Sequence, residues 1–456
     1  MATQDDINAF NASSTPACLL VLAAQTNNET ANRTVAVATV NDLPDLSLNT
    51  IMPGTVLWVD SLNIPVVAQV GCWTGLDDRE LRNDCLVKQV WSWGINSVGQ
   101  LGDNSTTSRL SPVSVVGGFT DWCQISAGAN FTVATKTGGS AWSWGFNTSG
   151  QLGDNTTTTK SSPVSVVGGF TDWRQISAGS SFTVAVRTGG TIWSWGGNSS
   201  GALGDNNSTN RSSPGSVVGG FTDWCQVSAG NLHTVALRTG GSAWAWGCNA
   251  QGRLGDNTTI NRSSPVSVVG GFTNWCQVSG GGLNTVAIRT NGCVWAWGYN
   301  ASGQVGDGTT TNRSSPVSVV GGFTDWCQVD SSSNPQLSCG ATTMAVRTNG
   351  SAWAWGSNLY GRLGDNTTTN KSSPVSVVGG FTDWCQISAG SFHAVAVRTG
   401  GSAWSWGNNQ FGRLGDNTTT NRSSPVSVVG GFTDWWQVSA GGDFSSGGHT
   451  VAIRQF

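Results

Sequence analysis

Charge is what this sequence has least of. Only 10% of its 456 residues are Asp, Glu, Lys or Arg, and 22 basic side chains against 25 acidic ones leave a formal net charge of −3. Ordinary globular domains carry roughly 25% charged residues. Without a basic excess there is nothing to gather phosphates, which excludes nucleic acid as an electrostatic partner. Long apolar runs are missing too. The one early run, Ala17 to Ala24, is eight residues long and lacks a basic flank, whereas a membrane helix needs about 20 apolar residues. A spanning segment and a secretory signal are therefore not expected. No Cys-x-x-Cys occurs among the eleven cysteines, and no Gly-x-x-x-x-Gly-Lys-Ser/Thr or Gly-x-Gly-x-x-Gly among the 63 glycines. Zinc, dithiol and phosphate-loop chemistry have no motif to rest on, and no cofactor or metal is expected.

What the chain has is glycine, 24 tryptophans and a repeat. Trp-x-Trp-Gly begins at Trp91, Trp142, Trp193, Trp244, Trp295, Trp353 and Trp404, with spacings of 51, 51, 51, 51, 58 and 51 residues. Phe-Thr-Asp/Asn-Trp recurs in step, beginning at Phe119, as does Leu/Val-Gly-Asp, ending at Asp103, Asp154, Asp205, Asp256, Asp307, Asp365 and Asp416. The pairs Trp91 and Trp93, Trp142 and Trp144, and Trp193 and Trp195 are thus structural repeat residues, together with Asp103, Asp154 and Asp205. Within one copy, Phe182 to Thr188 is a β-rich run, Gly189-Gly190 a hairpin turn and Thr191 to Trp195 the returning strand. Ser216 to Val218 and Trp224 to Ser228 add two more. Seven units of four short strands predict an all-β, seven-bladed propeller over residues 84–456, in which each blade covers its neighbour. The last copy ends on His449 to Phe456 without a hairpin partner, and the first begins at Val87 to Trp93 without the strand before it. Pairing of these two segments would close the ring.

The pattern Trp-x-Trp-Gly-x-Asn-x-x-Gly-Gln-Leu-Gly-Asp, followed by Ser-Pro-Val and by Val-Ser-Ala-Gly-x-x-His-Thr-Val-Ala-x-Arg, resembles the repeat of the regulator of chromosome condensation family. The resemblance implies a seven-bladed propeller. That fold hosts nucleotide exchange factors, ubiquitin-ligase modules and plain binding platforms, so it implies fold before function. The nuclear member binds chromatin and the small GTPase Ran, aided by a basic tail and an inserted β-wedge; neither feature is recognisable in this chain.

Residues 1–83 do not repeat and predict a small α+β module: a helix over Ala17 to Gln25, capped by Thr15 with Pro16 in its first turn, then strands at Thr34–Val40, Thr55–Val59 and Pro65–Val70. Ala38 to Pro44, Val56 to Leu62 and Trp73 to Asp77 resemble N-terminal modules of virion and tail-fibre-like proteins of marine tailed phages. That likeness implies a non-enzymatic virion structural protein, assembled in the host cytoplasm without a signal peptide. Residues 1–83 would join other virion proteins, in several copies or as a homo-oligomer, and the propeller would be displayed to a host-surface glycan or protein. The alternative is a cytosolic regulatory propeller binding a small GTPase or another protein.

Candidate chemistry is thin. His233, His393 and His449 share one repeat position on a ring, so they cannot converge as a triad or metal site. Seven aspartates and seven basic residues, Lys136 to Arg454, occur once per blade and suit ion pairs between blades. Five cysteines at one repeat position, Cys123, Cys225, Cys276, Cys327 and Cys385, read as small buried hydrophobes. Departures from the repeat carry more information. The spacing of 58 marks a seven-residue insertion between Val329 and Met344, and the last copy is about five residues longer at the same hairpin loop. Loop faces carry binding sites, so Asn334, Gln336, Asp443 and Phe444 are the candidate contact residues.

Overall fold

The computed structural model describes residues 87–332, 340–442 and 447–456, together with the backbone of three strands nearer the start. The chain divides into two compact units, one of residues 1–72 and 77–85, the other of residues 86–456 with 73–76. In the first, β1 (Val21–Ala24), β2 (Thr55–Val59) and β3 (Ile64–Gln69) form an antiparallel sheet in the order β1-β3-β2. The expected helix over Ala17 to Gln25 is therefore corrected: Val21–Ala24 is a strand paired with β3. Val-Leu-Ala-Ala is apolar without a helical stripe, and cross-strand pairing decides its conformation over the Thr-Pro start signal. Among the described residues of this unit the elements are all strands, and the α+β description is not supported. The expected strand at Thr34–Val40 lies outside the described residues.

The second unit is an all-β ring of seven four-stranded antiparallel sheets. Blade 1 shows the plan: Trp122–Ala127, Phe131–Lys136, Ala141–Gly145 and Lys160–Ser165 lie side by side in chain order. Blades 2 to 6 repeat it from Trp173, Trp224, Trp275, Trp326 and Trp384. Blade 7 takes Trp435–Ala440 and His449–Gln455 from the end of the chain and β4 (Lys88–Gly94) and β5 (Arg109–Ser114) from its start. His449 stands opposite Gly94 and Gln455 opposite Lys88, so the ring closes through this pairing.

The first strands line the centre, and the motif Gln-x-Ser stitches them together. The Gln124 side chain accepts the backbone N–H of Ile176 at 2.8 Å and Ser126 accepts that of Ala178 at 3.0 Å. The same two bonds recur at Gln175 and Ser177, Gln226 and Ser228, Gln277 and Ser279, and Gln386 and Ser388. Gln437 and Ser439 of blade 7 make them to Ile125 and Ala127 of blade 1. In blade 5 Asp330 replaces the serine and accepts Ala389 N–H at 2.8 Å. Asp330 and Ser331 thus belong to the first strand, so the extra residues begin beyond them.

Further out, the second Trp of each Trp-x-Trp pair anchors the blade to the one before. Trp93, Trp144 and Trp195 are fully buried. The Trp144 indole N–H donates to the Gln100 carbonyl at 3.0 Å, and Trp246, Trp297, Trp355, Trp406 and Trp93 donate to the equivalent carbonyls of Ala202, Arg253, Gln304, Arg362 and Arg413. Two residues on, Gly102 has φ +69° and a Cβ there would fall 2.7 Å from the Trp144 indole nitrogen. Only glycine permits both. The first Trp of each pair, Trp91, Trp142 and Trp193, is half-buried against a phenylalanine such as Phe119 or Phe170.

The aspartates correct the expectation of pairing between blades. Asp103 accepts Asn96 Nδ2 at 2.9 Å and Ser105 Oγ at 2.7 Å and pairs with Arg109, all in one loop of one blade. Asp154 and Asp205 do the same with Asn147 and Asn198. The other basic set also stays within its blade: Arg187 pairs with Asp172 at 2.8 Å and stacks on Phe170, 4.4 Å from the ring centre. Short-range partners win because a loop can close on its own residues without ordering a neighbour. The cysteines differ as well. Only Cys276 is buried; each sits at a bulge between first and second strands, as at Trp224 and Gln226. A bulge residue leaves the ladder, which explains why Arg174 and Trp436 fill the same slot.

Two outcomes follow. Trp246→Ala is expected to cost about 3–5 kcal/mol in equilibrium urea unfolding, as for other buried Trp truncations. Removing residues 449–456 leaves β4 without its inner neighbour, and the urea transition is expected to broaden and lose its single cooperative step.

Candidate functional site

The face of the ring at issue is the end where first strands turn into second strands and third strands run into the Asp-bearing loops. Both lengthened hairpins open there, between Ser332 and Gly340 in blade 5 and between Gly442 and Gly447 in blade 7. Asn334, Gln336, Asp443 and Phe444 lie outside the described residues. The short hairpin of blade 6, Gly390-Ser391-Phe392, sits between the two, and Ser391 Oγ donates to the Gly442 carbonyl at 2.5 Å.

Around Phe392 the sevenfold pattern breaks. Its ring is nearly buried, with the guanidinium carbons of Arg362 and Arg413 at 5.8 and 5.7 Å from its centre. Tyr360 approaches edge-on at 6.2 Å, and Arg413 also lies 5.6 Å from Phe411. Tyr360 and its neighbour Leu359 are 39% and 40% exposed, large for side chains of that kind. Tyr360 also has φ +67°, while the other non-glycine residues in that region among those described are asparagines. An aromatic residue there costs of order 1–3 kcal/mol, and such strain gathers where a side chain must be presented. Beside it is an open cleft of about 350 Å³ lined by Tyr360, Asn408, Gln410, Thr419 and Asn421.

Below the face lie the histidines. Nε2 of His233, His393 and His449 lies 3.0, 2.8 and 3.0 Å from the hydroxyls of Thr285, Thr450 and Thr132, each in the next blade. Burial pushes all three imidazoles well below their ordinary value, His449 to about 3. Arg253 adds to this at His233, and Arg413 and His449 add to it at His393. Among the described residues no group of three or more His, Cys, Asp or Glu is placed to hold a metal ion. Burial alone would raise the Asp103 carboxyl, but bonds from Ser105, Arg109 and Asn96 outweigh it and hold it below the usual range. Asp330 differs: burial raises its carboxyl despite bonds from Ala389, Ser279 and Ser331.

The family is now decided by the repeat itself: the RCC1-like domain profile matches residues 87–447. The chain belongs to the RCC1-like domain family. As an RCC1-like propeller it is 29% identical over 347 residues to the ultraviolet-B receptor UVR8 of Arabidopsis thaliana, covering 74% of this chain and 76% of that protein. It is also 29% identical over 371 residues to the E3 ubiquitin-protein ligase HERC2 of Homo sapiens, covering 75% of this chain but 7% of that protein. Among solved structures, Prp20p of Saccharomyces cerevisiae superposes with TM-score 0.70 at 18% identity, over 84% of this chain and 96% of that one. Human WBSCR16 gives 0.69 at 20%, over 81% and 99%. At those identities the RCC1-like fold is what the structures share.

Tyr360, Phe392, Phe411, Arg362 and Arg413 escaped the reading of the sequence. Their signal was present as Gly-Arg-Leu-Gly-Asp at Arg253, Arg362 and Arg413, where Gln100, Gln151 and Gln304 stand in other copies, and as one of only two tyrosines.

The histidines generate a pH prediction. An unfolded imidazole takes a proton near pH 6.5 and the buried one refuses it, so the unfolded state binds more protons and stability falls as pH falls through that window. His449→Phe, which installs the residue found at Phe131 and Phe182, is expected to flatten the loss of unfolding free energy between pH 6.5 and about 3. A pH profile parallel to wild type would contradict this.

Proposed function

We propose that this chain is a non-catalytic interaction propeller that binds a protein partner across the face bearing Leu359, Tyr360, Phe392 and Phe411. The observation that carries the reading is Tyr360: an exposed aromatic in a strained backbone, next to a second exposed apolar residue, on a ring whose other six copies of that position hold Val98, Ser149, Ser200, Gln251, Ser302 and Phe411. Exposed aromatics beside arginines are the composition of binding hot spots. The seven repeat aspartates, by contrast, are committed to their own loops and offer no shared catalytic centre.

The family adds support. Prp20p is described by its binding properties to Gsp1p and histones, and another structure places it with Kap60. A partner protein for this propeller accords with those neighbours, whether a small GTPase or another protein. HERC2's ligase activity is that of a protein of which this chain matches 7%, and it is not carried over. Display on a virion depends on residues 1–83, and the features of this face do not bear on it; none of the relatives named above is a virion protein.

The test is affinity capture with the full chain, read by quantitative mass spectrometry, comparing wild type, Tyr360→Ala/Phe411→Ser and Arg174→Ala at the opposite end of the blades. Specific partners are expected to fall at least tenfold with the double variant and to persist with Arg174→Ala. Partners kept by the double variant and lost with Arg174→Ala would place binding on the other face.

A further inference from the structure

Each Asp-bearing loop has one residue between a glycine and the Leu/Val-Gly-Asp motif whose side chain turns inward beneath the face. Four blades use Gln100, Gln151, Ala202 or Gln304; three use Arg253, Arg362 or Arg413, each at most 2% exposed. A guanidinium carries five N–H donors and accepts nothing, so burying one requires acceptors. Arg253 has them: Nη1 donates to the Gly282 carbonyl at 3.0 Å, and Nη2 donates to the Gln251 side-chain oxygen. Arg362 donates from Nη1 to the Ser391 carbonyl at 2.6 Å and from Nη2 to Ser357 Oγ at 2.9 Å.

Arg413 does not. Its Nε is buried without a hydrogen-bond partner, as are those of Arg253 and Arg362, but among the described residues its Nη groups donate none of the bonds that the other two make, and it meets no carboxylate. It is held instead by the two rings of Phe392 and Phe411. Burial pushes its pKa down to about 10, still charged at neutral pH. Among the described residues nothing compensates it: Arg362 lies on the same phenylalanine, and His393 and His449 are kept neutral by burial. Aromatic rings attract the cation while fixing the plane of the fork, which leaves its N–H groups free for a planar two-oxygen acceptor.

The geometry points to Arg413 as the receptor for a carboxylate, from an Asp or Glu side chain of the bound protein partner, entering the face beside Tyr360. This rests on the reading of that face as the interaction surface and names the chemistry of what it takes. Asn408 and Gln410 line the cleft next to Tyr360 and bring amide groups suited to a peptide backbone. A carboxylate and a guanidinium pairing bidentately in so dry a seat form a strong, directional contact, and a glutamine there could not replace it.

The test uses the full chain and two peptides, acetyl-hexaglutamate-amide and its hexaglutamine counterpart, in calorimetric titrations at low salt. Arg413→Gln installs the residue of three other blades and should fold; Arg253→Gln is the control for a guanidinium whose Nη groups both already have acceptors. Wild type and Arg253→Gln are expected to bind the glutamate peptide alike and to ignore the glutamine peptide, with at least tenfold weaker binding for Arg413→Gln. Without peptide, Arg413→Gln is expected to unfold at or above the wild-type urea midpoint, because it removes an unpaired buried charge, while Arg362→Gln unfolds earlier. Equal peptide binding by wild type and Arg413→Gln overturns the proposal. So does absence of binding to wild type, or an Arg413→Gln midpoint as low as that of Arg362→Gln. Binding that emerges only in Asp443→Asn would assign the counter-charge to this chain's own loop, and overturns it too. Partner capture that survives Arg413→Gln but not Tyr360→Ala/Phe411→Ser would leave the interaction face standing while removing the carboxylate.

Discussion

The seam between blades is the constraint on which everything else depends. A four-stranded antiparallel sheet of this size cannot bury both faces alone, so each blade is stable only when its neighbour covers it. Three contacts define the seams: the Gln and Ser side chains, with Asp330 for serine in blade 5, reaching to backbone N–H groups of the next first strand, the indole N–H reaching in six of the seven to a backbone carbonyl of the previous blade, and the glycine that lets the indole lie flat against that loop. Most of these bonds end on backbone atoms. Side chains can therefore drift between copies without loosening the ring, and that freedom is what lets blades 5 to 7 carry different loops on an unchanged frame.

Asymmetry is then the signature of function in a ring of this kind. The seven copies share strands, turns and ion pairs, and a feature that occurs seven times serves the ring. Features that do not run round the ring are the two lengthened hairpins, the strained Tyr360 and the arginine left between Phe392 and Phe411. They fall together on neighbouring blades at one end. Asp330 is a further departure, but it continues the serine's bond to the next strand, so its role is that of the seam.

How much of this was legible without coordinates follows from the range of each interaction. Strands, hairpin turns and the seven-blade count are set by residues near one another in sequence, and Trp-x-Trp-Gly with its Gly-Gly or Asn-Gly turns displays them openly. Closure was legible because His449 to Phe456 and Val87 to Trp93 each lack a partner. What failed depended on choosing between equally reasonable partners. Asp103 finds Arg109 six residues away and not a neighbouring blade, and Val21–Ala24 pairs with a strand more than forty residues on instead of coiling. Cys225 occupies a bulge, which periodicity alone cannot reveal because the bulge adds one residue to one strand only. The cluster at Phe392 joins three loops about 20 to 50 residues apart, and its members look like ordinary variation until the ring sets them side by side.

The glutamine bonds between first strands are equivalent at all seven seams, including the two that flank blade 7, which is built from both ends of the chain. Native-state hydrogen exchange, read at the first-strand amides Ile125, Ile176, Val227, Val278, Val329, Ile387 and Val438, tests it most directly. These amides donate the seam bonds to glutamine side-chain oxygens of the neighbouring blade, and they are expected to open together, with one common free energy equal to that of global unfolding. Graded protection, lowest at Val438 and Ile125 on either side of blade 7 and rising toward blade 4, would mean that the ring frays at its closure and contradict the claim.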